Sequence, residues 1–188
     1  MTERFMTEDV LFGYVTNLCI SDYFDVEKLE DARRCACGVS TPLIIIGTGA
    51  GMVAPGATLV YVDMARWEIQ QRCRRHEVKA LGIDNREDAV SLQYKRGYFN
   101  DWRICDRYKS TLFEHVDYWL DSHIPGSPKM IDRETFYKGI NKTASKPFRV
   151  VPYFDQAPWG GQWMKEVCDL DSDVPNYGWC FDCVPEEN

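Results

Sequence analysis

Two strand-like runs lie only a glycine-rich turn apart, and that spacing is the strongest constraint on what this chain can fold into. TPLIIIG at 41–47 reads as a buried strand, GTGAGMVAPG at 47–56 as the turn, and ATLVYVDM at 57–64 as a second strand rich in β-branched and aromatic residues. Parallel neighbours need a crossover of a dozen residues or more, usually a helix, so this pair is not an ordinary crossover unit.

Helical patterns surround the pair. Val10, Leu11, Tyr14, Val15 and Leu18 recur at spacings of three and four, which predicts an amphipathic helix over 7–19. A second helix is expected from Asp25 to Cys37, closed by Gly38. ARWEIQQRCRRHEV at 65–78 is rich in helix formers, and 100–115 repeats the pattern with Trp102, Ile104, Tyr108, Leu112 and Phe113. The stretch between them, LGIDNREDAVSLQYKRGYF at 81–99, reads as a surface excursion.

VDYWLDS at 116–122 is a predicted third strand, DRETFYKGINKTA a short helix capped by Asp132, and PFRVVPYF a fourth strand. Strands alternating with helices predict an α/β fold, a small mostly parallel sheet flanked by helices. After Phe154 the chain becomes dense in Pro, Gly, Trp and Asp, and its helical period disappears. An α/β domain is therefore expected over 1–154, with the incomplete start of a β-rich domain over 155–188.

Composition narrows the functional classes. With 45% hydrophobic and 13% aromatic residues, the 188-residue chain has material for a real core. The net charge of -7, with 22 Lys and Arg spread along the sequence, argues against nucleic acid bound through a broad basic surface. No targeting signal opens the chain and the longest apolar run is LIII at 43–46, so no membrane partner and a cytoplasmic location are expected. The eight cysteines are read as reduced thiols.

Three local features carry possible chemistry. Gly47, Gly49 and Gly51 follow a strand, where backbone N–H groups can approach a phosphate. The loop lacks the Gly-Lys-Ser/Thr ending of a P-loop, and Met52 breaks the dinucleotide fingerprint, so a plain tight turn competes with that reading. If that loop binds a phosphate, Asp63 at the end of the next strand can hold a metal ion or a ribose hydroxyl and Arg66 on the following helix can meet an anion; the preferred reading is a helix-capping Asp and a solvated Arg. Lys95, Arg96, Arg103 and Arg107 form a basic, aromatic-rich patch suited to a sugar phosphate, or an ordinary surface neutralised by Asp101 and Asp106. Finally, Cys35-x-Cys37 and Cys180-x-x-Cys183 offer four thiolates to a structural zinc, although residues three apart in a strand point to opposite faces.

The runs VPYFDQAPWGGQWMKEVCDLD at 151–171 and NYGWCFDCVPEEN at 176–188 resemble the segment of bacterial class I mannose-6-phosphate isomerases that leads into their cupin β-sandwich. YVDMARWEIQQR and YKRGYFNDWRICDRYK resemble the α/β region ahead of it, so the resemblance covers most of residues 7–188. It implies an intact protein that interconverts mannose 6-phosphate and fructose 6-phosphate with a divalent metal, zinc, held by cupin side chains. No histidine follows Pro158, Trp159, Gly160 and Gly161, while His76, His115 and His123 all precede them. No metal ligand or catalytic residue is therefore assigned here, and the chain alone is expected to be inactive. The phosphosugar is the expected partner of the intact protein, and both ends of the chain are expected to be incomplete. Two other readings stand beside this one: a phosphate- or nucleotide-binding module related to nucleoside or sugar kinases without their P-loop, and a structural domain with no activity.

Overall fold

A computed structural model of the protein describes residues 2–9, 12–153, 165–167, 169, 171 and 180–185. The chain divides into two compact units, Met1–Arg133 and Glu134–Asn188.

The first unit is built around a three-stranded mixed sheet. β1 (Val60–Asp63) pairs in parallel with β2 (Tyr118–Asp121), and β2 pairs antiparallel with β3 (Lys129–Asp132). The mostly parallel sheet expected from sequence is thus half parallel and half antiparallel, because its third strand is KMID at 129–132 rather than the LIII run. Residues 41–46 form no strand, and Leu43, Ile44 and Ile46 are exposed. A short apolar run satisfies the strand pattern equally well when nothing pairs with it, and periodicity cannot tell the two situations apart.

Side-chain and backbone bonds lock the parallel pair at both ends. At the entry, the Leu59 N–H donates to Asp117 Oδ2 at 2.9 Å and the Asp117 N–H donates to the Leu59 carbonyl at 2.9 Å. Arg133 holds the same corner, its Nε donating to the Val116 carbonyl at 2.6 Å and its Nη2 to Asp117 Oδ1 at 3.0 Å. At the exit, the Ser122 hydroxyl and N–H both donate to the Asp63 carbonyl, at 2.8 and 2.9 Å.

Helices follow the sequence where capping and pattern agree. α2 (Val26–Cys37) begins at Asp25, whose side chain accepts from the Lys28 N–H at 3.1 Å, and ends at Gly38. α4 (Arg66–Arg74) and α6 (Trp102–Leu112) fall inside their predicted spans. The expected surface excursion contains a further helix, α5 (Val90–Arg96), and a π-helical turn over Gly97–Asp101 that runs directly into α6. Gly97 is required there, since a Cβ on it would lie 2.6 Å from the Trp102 ring.

The helix predicted over 7–19 is the largest departure. Among the described residues here, only α1 (Glu3–Met6) and a 3-10 turn at Ile20–Tyr23 are helical, and a short α3 (Ala50–Val53) follows the glycine loop. The intervening backbone spends its carbonyls on distant donors. Lys95 Nζ, on a residue only 4% exposed, donates to the Thr7 and Asp9 carbonyls, and Arg107 donates to those of Thr16 and Leu18. The Thr16 N–H in turn reaches the Phe99 carbonyl at 2.9 Å. Tertiary hydrogen bonds have replaced the i to i−4 ladder that the apolar spacing suggested.

Leu18, Ile20 and Ile104 form the core that this arrangement closes, with Phe5, Tyr23, Phe24, Met52, Leu81 and Tyr108 packed around them. Trp119 packs against Phe113, at the end of α6, and against Tyr61 on the neighbouring strand, with ring centroids 5.1 and 5.2 Å away. The opposite sheet face carries Val60, Val62, Tyr118 and Met130, all exposed.

In the second unit α7 (Arg133–Ala144) leads to β4 (Phe148–Tyr153), which pairs antiparallel with β5 (Cys180–Pro185). The helix and the strand at 148–153 match the sequence reading. The boundary expected near residue 154 lies between the two strands of this sheet. The PWGG segment at 158–161 lies outside the described residues. Among the described residues no helix is long and apolar enough to cross a membrane.

Ile104 is fully buried at the centre of the core. Ile104→Ala is expected to lower unfolding stability by about 2–5 kcal/mol, read as a shift of the urea midpoint. A loss below about 0.5 kcal/mol would place Ile104 outside the core.

Candidate functional site

In open α/β sheets, ligands bind beyond the carboxyl ends of parallel strands, where the connecting loops diverge. β1 and β2 both end in aspartate, and the register sets Asp63 opposite Asp121. Residues in register across two strands share a sheet face, so both carboxylates emerge on the side that carries Tyr61 and Trp119.

A cleft of about 620 Å³ opens there within the first unit, between the strand ends, α4, the 78–85 segment and the start of α6. Its rim is charged. Arg66, at the first turn of α4, donates from Nη2 to both oxygens of Asp106 at 2.9 and 2.7 Å, and its guanidinium lies 4.8 Å from the centre of the Trp102 ring. Lys109, two turns along α6, donates to Asp63 Oδ2 and stands 5.4 Å from the Tyr61 ring and 5.6 Å from that of Trp119. Each cation is thus held between a carboxylate and an aromatic face, which fixes its position without using all its donors. Arg66 Nε and Nη1 have no partner among the described residues, and Lys109 Nζ has one acceptor for three N–H groups.

The inner end of the cleft is more deeply buried. Asp101 is 7% exposed there, accepting from the Leu81 N–H at 3.1 Å with Arg96 Nε at 3.6 Å. Burial raises the pKa of its carboxyl above the usual range, against the opposing effects of Arg96 and the Leu81 N–H. One turn further along α6, burial pushes the Cys105 thiol up to about 11, helped by the charges of Asp101 and Asp106. Cys73, across the cleft on α4, is also raised by burial.

Of the residues singled out from sequence, Asp63 and Arg66 line this cleft. The others are placed elsewhere. Lys95 and Arg107 bind the backbone carbonyls of the 7–18 segment. Arg96 binds Thr2 Oγ1 at 3.0 Å and the Leu81 carbonyl at 3.2 Å, and Arg103 lies over Tyr98 while donating to its carbonyl at 3.2 Å. Gly47 and Gly49 take positive φ, 143° and 89°, in the turn before α3. A Cβ on Gly49 would meet the Phe24 ring at 2.5 Å, and one on Gly51 would lie 3.3 Å from the Tyr108 hydroxyl. Packing therefore accounts for a glycine at position 49 directly.

From sequence Asp106 reads only as a charge balancing its own helix, whereas it pairs with Arg66 forty residues away. Lys109, Trp102 and Asp121 were not anticipated as partners in a site. The signal for Asp121 was available, since YVD at 61–63 and WLD at 119–121 end their strands alike.

The zinc implied by the isomerase resemblance finds no donor set in the described residues, where no three His, Cys, Asp or Glu side chains gather to hold a metal ion. His76 is engaged with the Arg86 carbonyl and Gln93, and Cys35 and Cys37 are exposed at the end of α2. No chemical step is assigned to a metal here.

A thiol whose pKa is raised stays neutral until the pH approaches that value, and only the thiolate reacts. Between pH 7 and 9, Cys105 should therefore label with iodoacetamide far more slowly than the exposed Cys19, Cys35 and Cys37, its rate climbing throughout that range. Peptide mapping by mass spectrometry reads the order, and equal rates would contradict the burial of this wall of the cleft.

A family model described as a domain of unknown function (DUF8485) matches residues 1–145. No curated protein and no solved structure matches the chain. The family match covers all of the first unit and more than half of the sequence, and the chain belongs to the DUF8485 family.

Proposed function

We propose that this chain is the leading part of a mannose-6-phosphate isomerase-like protein of carbohydrate metabolism, and that its first unit binds a phosphosugar in the cleft at the ends of β1 and β2. The observation that supports this most directly is the pair Arg66 and Lys109. They approach the cleft from different helices, each fixed by one carboxylate and by aromatic rings, and each retains N–H donors for an incoming anion. A phosphate monoester has the charge and the acceptor oxygens to use them. The aspartates around the cleft supply acceptors for sugar hydroxyls, and they disfavour a polyanion such as nucleic acid.

The isomerase part of the proposal rests on the sequence resemblance of 151–171 and 176–188. Aldose–ketose interconversion needs a base within reach of the C1 or C2 proton, and no residue of the cleft is assigned that role. Binding is thus proposed for the first unit, and turnover for the intact protein.

A ligand that binds only the folded form raises its melting temperature. Mannose 6-phosphate is expected to stabilise the 188-residue chain, and Arg66→Ala and Lys109→Ala are each expected to weaken binding about tenfold, the loss of one charge-assisted hydrogen bond. Isothermal titration calorimetry reads the affinities. Absence of binding by the unsubstituted chain would favour a structural domain, and binding that is unaffected by both variants would move the site away from this cleft.

A further inference from the structure

On the phosphosugar reading, some group of the cleft has to distinguish a sugar from a bare phosphate. The cleft contains four aspartates, and three of them already face a cation. Asp63 is bound to Lys109, Asp106 to Arg66, and Asp101 has Arg96 nearby. Asp121 stands opposite Lys129 in the β2–β3 register, with no ion pair between them among the described residues. Its Oδ1 accepts from the His123 N–H at 2.9 Å, and it has no ion pair among the described residues.

That arrangement prepares a hydrogen-bond acceptor. The bond to His123 fixes the carboxylate on the turn that leaves β2, and Asp121 is exposed on the cleft lining. The β1–β2 register places it beside Asp63, whose own carboxylate anchors Lys109. An anion held by Lys109 would therefore have a fixed acceptor one strand away, with lone pairs to spare. A second phosphate oxygen would be repelled at this position, whereas a hydroxyl donates to it.

We propose that Asp121 is the specificity-determining residue of the cleft, accepting a hydrogen bond from a hydroxyl of the ligand and so favouring a polyhydroxylated phosphate ester over inorganic phosphate. Charge makes the effect one of discrimination, because removing the carboxylate relieves repulsion of any phosphate while removing the acceptor only a hydroxylated ligand uses. A site built to bind a hydroxyl discriminates strongly against a ligand that lacks one.

The test measures the ratio of affinities for mannose 6-phosphate and inorganic phosphate by calorimetry on the full chain, in the unsubstituted protein, Asp121→Ala and Asp121→Asn. The unsubstituted chain is expected to prefer mannose 6-phosphate at least tenfold, and Asp121→Ala to reduce that ratio about tenfold through weaker sugar-phosphate binding and equal or tighter phosphate binding. Asp121→Asn keeps an acceptor for the His123 N–H, so it tests the charge with the turn intact, and it is expected to lose part of the preference. An unchanged ratio in both variants, with phosphate still bound, would overturn the role of Asp121 and leave the cleft as the phosphate site. Failure of the unsubstituted chain to bind either ligand would overturn the phosphosugar reading itself, and this inference with it.

Discussion

Everything proposed for this protein depends on the parallel pairing of β1 with β2. Four residues on each strand are a small ladder, and short strand pairs are marginal alone. Here the pair is locked at both ends by bonds that lie outside the ladder, from Asp117 and Arg133 at the entry and Ser122 at the exit. A slip of one residue would turn each side chain of one strand to the other face. The clamps prevent that slip, and the prevented slip is what keeps Asp63 and Asp121 on one side.

Helix α6 then closes the strand ends into a cleft. Its first turn brings Trp102, its second Asp106 and its last Lys109, and the cleft forms because these three meet partners from β1 and α4. The π-helical turn before it sets the direction of α6 and delivers the buried Asp101 to the inner wall. An extra residue in a helical turn of this kind is frequent at functional sites, where it redirects side chains that a regular helix would point elsewhere. Gly97 permits that geometry by leaving room for the Trp102 ring.

Much of the local structure was legible in the sequence, and the reasons are specific. Asp25 and Gly38 bracket α2 as cap and terminator, and the runs LVYVD, YWLD and FRVVPY carry the β-branched and aromatic residues of β1, β2 and β4. The failures have physical causes as well. Residues 7–19 have helical spacing, yet Lys95 and Arg107 arrive from about ninety residues away to bind their carbonyls. β3 was missed because KMID is short, charged at both ends and exposed, so it becomes a strand only through pairing with β2. Asp63 and Arg66 are legible from their position after a strand. The strand endings YVD and WLD hint at Asp121, but only the β1–β2 register sets it beside Asp63, and only the packing of α6 brings Lys109 to the same cleft.

The central claim is that a phosphosugar binds at the ends of β1 and β2, and backbone amide chemical shifts test it most directly. Titrating mannose 6-phosphate into isotope-labelled protein should move the signals of residues 63–66, 106–109 and 121–123, and leave those of 47–51 and 95–96 in place. Shifts confined to the glycine loop and the 95–96 segment, with the strand ends unmoved, would contradict it.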